Sequence, residues 1–130
     1  MNRAIGYDIN LTNFDASKES EISLYPGVYK IHSLEFVLDT GSGTTFQISL
    51  STLSGISAGD TSQETIYADA GPPTAKGTNK DVTFLTPVYF IVKEGESLYF
   101  KPHVNSGSDN NGRGRLIIEA VGAVESESVT

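Results

Sequence analysis

Val82-Thr83-Phe84-Leu85-Thr86-Pro87-Val88-Tyr89-Phe90-Ile91-Val92, then Lys93-Glu94-Gly95-Glu96-Ser97, then Leu98-Tyr99-Phe100-Lys101-Pro102-His103-Val104, is the stretch that decides the fold class. Val82, Phe84, Val88, Phe90 and Val92 recur at every second position, and so do Leu98, Phe100 and Val104. Side chains of a strand alternate between two faces, so this spacing describes two half-buried strands. Pro87 cannot donate to a ladder and marks a break or an edge. The short glycine-containing link predicts that the two runs form a hairpin.

The same period extends outward in both directions. Phe46, Ile48 and Leu50 alternate with Gln47, Ser49 and Ser51, a one-sided strand. Upstream, Val28 to Leu38 is the longest strand-like run, and its apolar residues settle on Leu34, Phe36 and Leu38 only in its second half. That change of phase predicts a β-bulge or a strand buried on both faces. Asp39-Thr40-Gly41-Ser42-Gly43 reads as a hairpin connection to the Phe46 strand. Ile5, Tyr7, Ile9 and Leu11 alternate with Gly6, Asp8 and Asn10; Ile66-Tyr67-Ala68 is a short strand; Arg115 to Val121 is the last. Ser54 to Thr65, Gly71 to Lys80 and Asn105 to Gly114 are turn-rich and read as loops. No stretch keeps apolar residues at helical spacing over three turns, strands and helices do not alternate, and no internal repeat is present. The expectation is an all-β chain, an antiparallel β-sandwich of jelly-roll type with about seven or eight strands. Its parts are an N-terminal arm, or first strand plus tether, over 1–21, a sandwich over 22–122 and a flexible acidic tail over 123–130.

The chain has 130 residues, the size of one domain, and no cysteine, so neither disulfides nor thiolate metal sites arise. The start lacks an apolar run of signal-peptide length and no span of about 18 apolar residues follows, so synthesis in a cytoplasm and no membrane insertion are expected. Net charge is −7, and Arg3, Arg113 and Arg115 are the only arginines. Phosphate backbones demand clustered cations, so nucleic acid is not an expected partner.

Each residue pattern that could carry catalysis has a plainer reading. His32 and His103 fall on the polar phase of their strands and read as solvent-facing; about 70 residues apart, they have no zinc-ligand spacing. Asp109-Asn110-Asn111-Gly112 resembles the start of a calcium loop, but Arg113 and Arg115 stand where ligands should, and Asx-Gly chemistry makes turns. Asp60, Glu64 and Asp69 would need to converge to form a glycosidase-like pair, and a solvated loop is the simpler reading. Glu94 and Glu96 flank a turn glycine, and Gly41-Ser42-Gly43 leads into a strand rather than a phosphate-binding helix. Asn10-Leu11-Thr12 matches a glycosylation sequon without the secretion signal that would give it meaning. No enzyme activity, cofactor or metal is expected.

Tyrosines and two-faced strands point to association instead. Tyr89 and Ile91 lie opposite in phase to Phe90, and Tyr99 is read as sitting across the hairpin from them. A strand apolar on both faces needs a second cover, which an oligomer supplies. The alternating arm, with Ile5, Tyr7, Ile9 and Leu11, could add a strand to a neighbour's sheet. The candidate interface is therefore Ile5, Tyr7, Ile9, Leu11, Tyr29, Tyr89, Ile91 and Tyr99. The alternative is a sugar platform on Tyr29, Tyr89 and Tyr99, as in carbohydrate- or receptor-binding modules of a phage fibre or spike.

The run from Tyr25-Pro26-Gly27-Val28-Tyr29-Lys30-Ile31 through Leu34-Glu35-Phe36-Val37-Leu38, the stretch Val92 to Phe100 and the closing strand to Gly122 together resemble small jelly-roll head decoration (cement) proteins of tailed bacteriophages. The likeness is one of style over about residues 22–122 and carries no single diagnostic motif. It implies a virion structural protein on the capsid exterior, a homotrimer or similar cluster, bound to the major capsid protein.

Overall fold

The computed structural model describes residues 4–123. The expected tail, apart from Ala123, lies outside the described residues, as do the first three residues of the arm. The chain is all-β: β1 (Ala4–Phe14), β2 (Ser20–Ile22), β3 (Gly27–Thr40), β4 (Thr45–Ser51), β5 (Thr65–Ala68), β6 (Thr74–Ala75), β7 (Lys80–Val92), β8 (Leu98–Val104) and β9 (Asn110–Gly122). One sheet has the order β1-β9-β3-β7 and the other β2-β8-β4-β5, with β6 also on β4, and every pairing is antiparallel. No helix among the described residues is long and apolar enough to cross a membrane.

The two sheets meet over one core. Ile31, Leu34, Phe36, Leu38 and Leu116, Ile118 from the first sheet face Phe46, Ile48, Leu50 and Leu98, Phe100 from the second, all essentially inaccessible to water. Phe36 is its centre, edge-on to Phe46 with ring centroids 5.7 Å apart and tilted against Phe100 at 5.2 Å. Such aromatic pairs add about 0.5–1.5 kcal/mol beyond area burial.

The change of phase in β3 is a bulge. Register slips between Ile31 and Ser33 against both neighbours, so Tyr29 and Ile31 point inward before it and Leu34, Phe36 and Leu38 after it. The expected hairpins are corrected. β7 belongs to the first sheet and β8 to the second, so Lys93–Ser97 arches across the core instead of joining paired neighbours. The 39–43 connection does the same between β3 and β4. Alternation shows which face each strand buries, and two strands burying the same phase can sit side by side or face each other across a sandwich.

Strand β9 begins five residues before the expected Arg115 start. Asn110, Gly112 and Gly114 continue the inward phase of Leu116 and Ile118, with glycine replacing bulk because Phe36 and the β3 backbone lie against them. A Cβ on Gly114 would meet the Glu35 carbonyl, and one on Gly112 the Phe36 ring. Small residues there let the longest ladder of the molecule close over its largest core side chain.

Candidate functional site

His103 is half-buried on the outer face of β8, its Nε2 2.8 Å from the Ser49 Oγ. Burial, and secondarily Lys101, push its pKa down to about 4, with Asp69 acting in the opposite sense. The imidazole is thus neutral near pH 7 and could accept a proton. Ser49, however, is wholly buried, so its hydroxyl is not open to a substrate, and no described hydrogen bond orients the other ring nitrogen as a triad requires. His32 sits over the first sheet with Nε2 2.8 Å from Glu119 Oε1. Both histidines are therefore held by partners and only partly solvent-facing.

Of the three loop carboxylates, Asp60 and Asp69 are engaged locally. Asp60 accepts the Ser62 N–H, Glu64 is exposed, and Asp69 is buried, its Oδ1 accepting the Gly71 N–H while Oδ2 lies 3.6 Å from Lys80 Nζ without a hydrogen bond. Among the described residues no group of three or more His, Asp or Glu could hold a metal ion.

The Asp109–Gly112 stretch is a structural lock. Asp109 accepts from the Ser42 N–H and hydroxyl, and these bonds hold its carboxyl below the usual carboxylate range. Asn110 is fully buried: its Oδ1 accepts the Gly43 N–H, and its Nδ2 donates to the Phe14 and Ser106 carbonyls. Asn111 donates to Thr40 Oγ1 and accepts the Asn13 N–H. One dipeptide thus ties the end of β1, the 39–43 arch and the 105–109 loop together. Arg113 pairs with Asp39 at 3.0 Å.

The candidate interface residues separate into three groups. Ile9, Leu11 and Tyr29 are core, the last stacked on Phe90 at 5.4 Å and donating its hydroxyl to the Tyr25 carbonyl at 2.5 Å. Within the single chain these three side chains belong to the interior: β1 pairs with β9 through one of its edges, and the β3 bulge turns Tyr29 inward. Tyr7 is half-buried against that core, and Tyr99 is half-buried on the outer face of the second sheet beside Glu21 and Ser51. Ile5, Tyr89 and Ile91 remain exposed. Tyr29, Tyr89 and Tyr99 thus face the core, the outside of one sheet and the outside of the other, and they form no common sugar platform.

Strand β7 holds the apolar surface. It is an edge of the first sheet, paired with β3 alone. Thr83 lies opposite Ser33 and Val88 opposite Ile31, so residues 84–87 stand against His32 alone. This outward loop keeps Phe84 half-buried edge-on to Tyr67, with centroids 5.8 Å apart, and thrusts Leu85 into solvent at 95 % exposure. Further along, Tyr89 and Ile91 are 56 % and 51 % exposed. Their cross-strand neighbours are Lys30 and the half-buried Val28. Sequence reasoning found Tyr89 and Ile91 but missed Leu85, whose apolar side chain at an odd position carries no mark of the outward excursion.

A second apolar feature is a groove of about 560 Å³ at the end of the sandwich, lined by Ile5, Tyr7, Leu24, Tyr25, Pro26 and Tyr29 among others. Tyr25 stands 88 % exposed at its rim.

No protein-family model and no curated protein matches the chain. Among solved structures, it is similar to a chain of the Cyanophage Pam1 capsid asymmetric unit, at 14 % identity and a TM-score of 0.46, covering 92 % of this chain and 85 % of that one. It is also similar to a protein of Bacillus endospore appendages, described as a novel family of disulfide-linked pili, at 12 % identity and a TM-score of 0.33, covering 93 % and 87 %. Neither likeness assigns a role to this chain.

Proposed function

We propose that the chain is a non-enzymatic structural protein of a virion, seated on the outside of a capsid and bridging neighbouring major capsid proteins through its β7 edge. The observation that carries this reading is the row Leu85, Tyr89 and Ile91, three large apolar side chains exposed along one edge strand. Leaving them in water forfeits burial worth about 1.5–3 kcal/mol for a Leu or Ile side chain. The excursion that packs Phe84 against Tyr67 leaves Leu85 without cover from its own chain, and a protein surface with a matching cleft would bury it. The resemblance to head decoration proteins supplies the kind of surface. The test is co-sedimentation with shells of the source particle stripped of this protein: the native chain binds, and L85D/Y89D does not. Equal binding by both would refute the reading.

A second reading, a carbohydrate- or receptor-binding module, rests on the aromatic groove around Tyr25. It predicts retention on a glycan array that Tyr25→Ala abolishes while leaving shell binding intact.

A further inference from the structure

Strand β1 is the other edge of the first sheet, and it differs from the remaining edges. β7 is broken by Pro87 and its excursion, β2 has three residues and β5 four. β1 runs in unbroken register with β9 from Ala4 to Leu11, and among the described residues no strand lies on its outer side. Long regular edges are normally blunted by proline, lysine or a bulge, because their free N–H and C=O groups pair with any suitable strand. β1 has no proline, and its one charged residue is Asp8.

We propose that two copies of this chain pair β1 against β1, antiparallel about a two-fold axis at Tyr7, joining their first sheets into one continuous sheet of eight strands. An axis perpendicular to the sheet at one residue keeps both apolar faces on the same side. Centred on Tyr7, it sets Tyr7 beside its copy and Ile5 opposite Ile9 of the copy, which covers an Ile5 that is 39 % exposed in the single chain. On the outer face it sets Asp8 opposite Gly6 of the copy.

That last juxtaposition selects the register. Gly6 is where Arg115 lies: a Cβ there would stand 2.6 Å from Arg115 Nη2 and 2.7 Å from Nε. Within one chain, Asp8 is only a loose partner, with Arg115 Nε 3.9 Å from Asp8 Oδ1 and both side chains more than half exposed. In the pair, each Asp8 arrives beside the Arg115 that covers Gly6 of the other copy, so the ion pair forms twice by symmetry. An axis at Asp8 would place the two carboxylates directly opposite, an unfavourable like-charge pair. An axis at Gly6 would leave only residues 4–8 overlapping within the described strand. A two-fold pair takes the place of the three-fold cluster implied by the resemblance. It is a property of this chain's own edge and stands apart from shell binding.

The test uses the full chain, which has no cysteine of its own. Opposed residues of an antiparallel pair lie about 4.5–5.5 Å apart at Cα, inside the range a disulfide spans. Under mild oxidation Tyr7→Cys gives a covalent dimer, whereas Ala4→Cys, about 20 Å from its copy in this register, stays uncrosslinked. In sedimentation equilibrium the native chain has the mass of two copies. D8R shifts it to one copy, and D8R/R115D returns it to two. A native monomer, a trimer, a dimer indifferent to D8R, or crosslinking of Ala4→Cys without Tyr7→Cys would each overturn the pairing.

Discussion

Replacing Leu85 by Asp separates folding from binding more cleanly than any other change in this molecule. At 95 % exposure Leu85 makes almost no contact within the chain. An exposed substitution of this kind changes folding stability by no more than about 0.5 kcal/mol in either direction. If a shell protein buries the side chain, its loss forfeits about 1.5–3 kcal/mol, and the buried unpaired carboxylate adds to that. Each 1.4 kcal/mol is about tenfold, so binding weakens by at least about 10- to 100-fold. Urea unfolding followed by circular dichroism reads the first quantity, and titration of fluorescently labelled protein onto stripped shells reads the second. Unchanged urea midpoint with weakened binding is the expected pair of results. A lowered midpoint would show that Leu85 serves the fold, and unchanged binding would show that β7 does not face the shell; either refutes the reasoning.

Other consequences follow from the interior and its titrating groups. Asn110→Ala strips partners from the Gly43 N–H and from the Phe14 and Ser106 carbonyls at a buried site, and should cost about 3 kcal/mol in urea unfolding. His103 has a folded pKa of about 4 against 6.5 in the unfolded chain, so the unfolded state takes up the proton first. Its contribution is whole above about pH 6.5 and fades as pH falls toward 4, by at most about 3 kcal/mol and less after solvent screening. Between pH 6.5 and 4 the native chain should lose stability relative to His103→Gln, with the gap between the two curves constant below about pH 4; curves that run parallel through that window would contradict the assignment. Asp15 and Asp109, held below the usual range by Ser17 and Ser42, lose their contributions at more acid pH than His103 does. Gly114→Ala, whose methyl meets the Glu35 carbonyl, should destabilise by about 1–3 kcal/mol or more.

What the sequence disclosed and what it hid follow from the physics of strands. Period-two alternation announced nearly every strand and its buried face, because half-burial imposes that period whatever the topology. It was silent about partners: Val92 and Leu98 flank a tight glycine link, yet they belong to opposite sheets. The front of β9 was missed because its inward positions are Asn110, Gly112 and Gly114, chosen for smallness and hydrogen bonding instead of apolarity. Tyr29 was read with the later phase of its strand, and the bulge at Ile31–Ser33 reverses it. At the candidate surface, Tyr89 and Ile91 were legible from their phase. Leu85 was not, since nothing local in a sequence distinguishes a residue on an outward excursion from one in a regular strand.

The most direct test of shell binding through β7 is cryo-electron microscopy of the source particle. The account predicts two-sheet density on the outer surface, with Leu85, Tyr89 and Ile91 turned onto the major capsid protein across a subunit boundary. A shell without this density, or one in which that edge faces solvent, would contradict it.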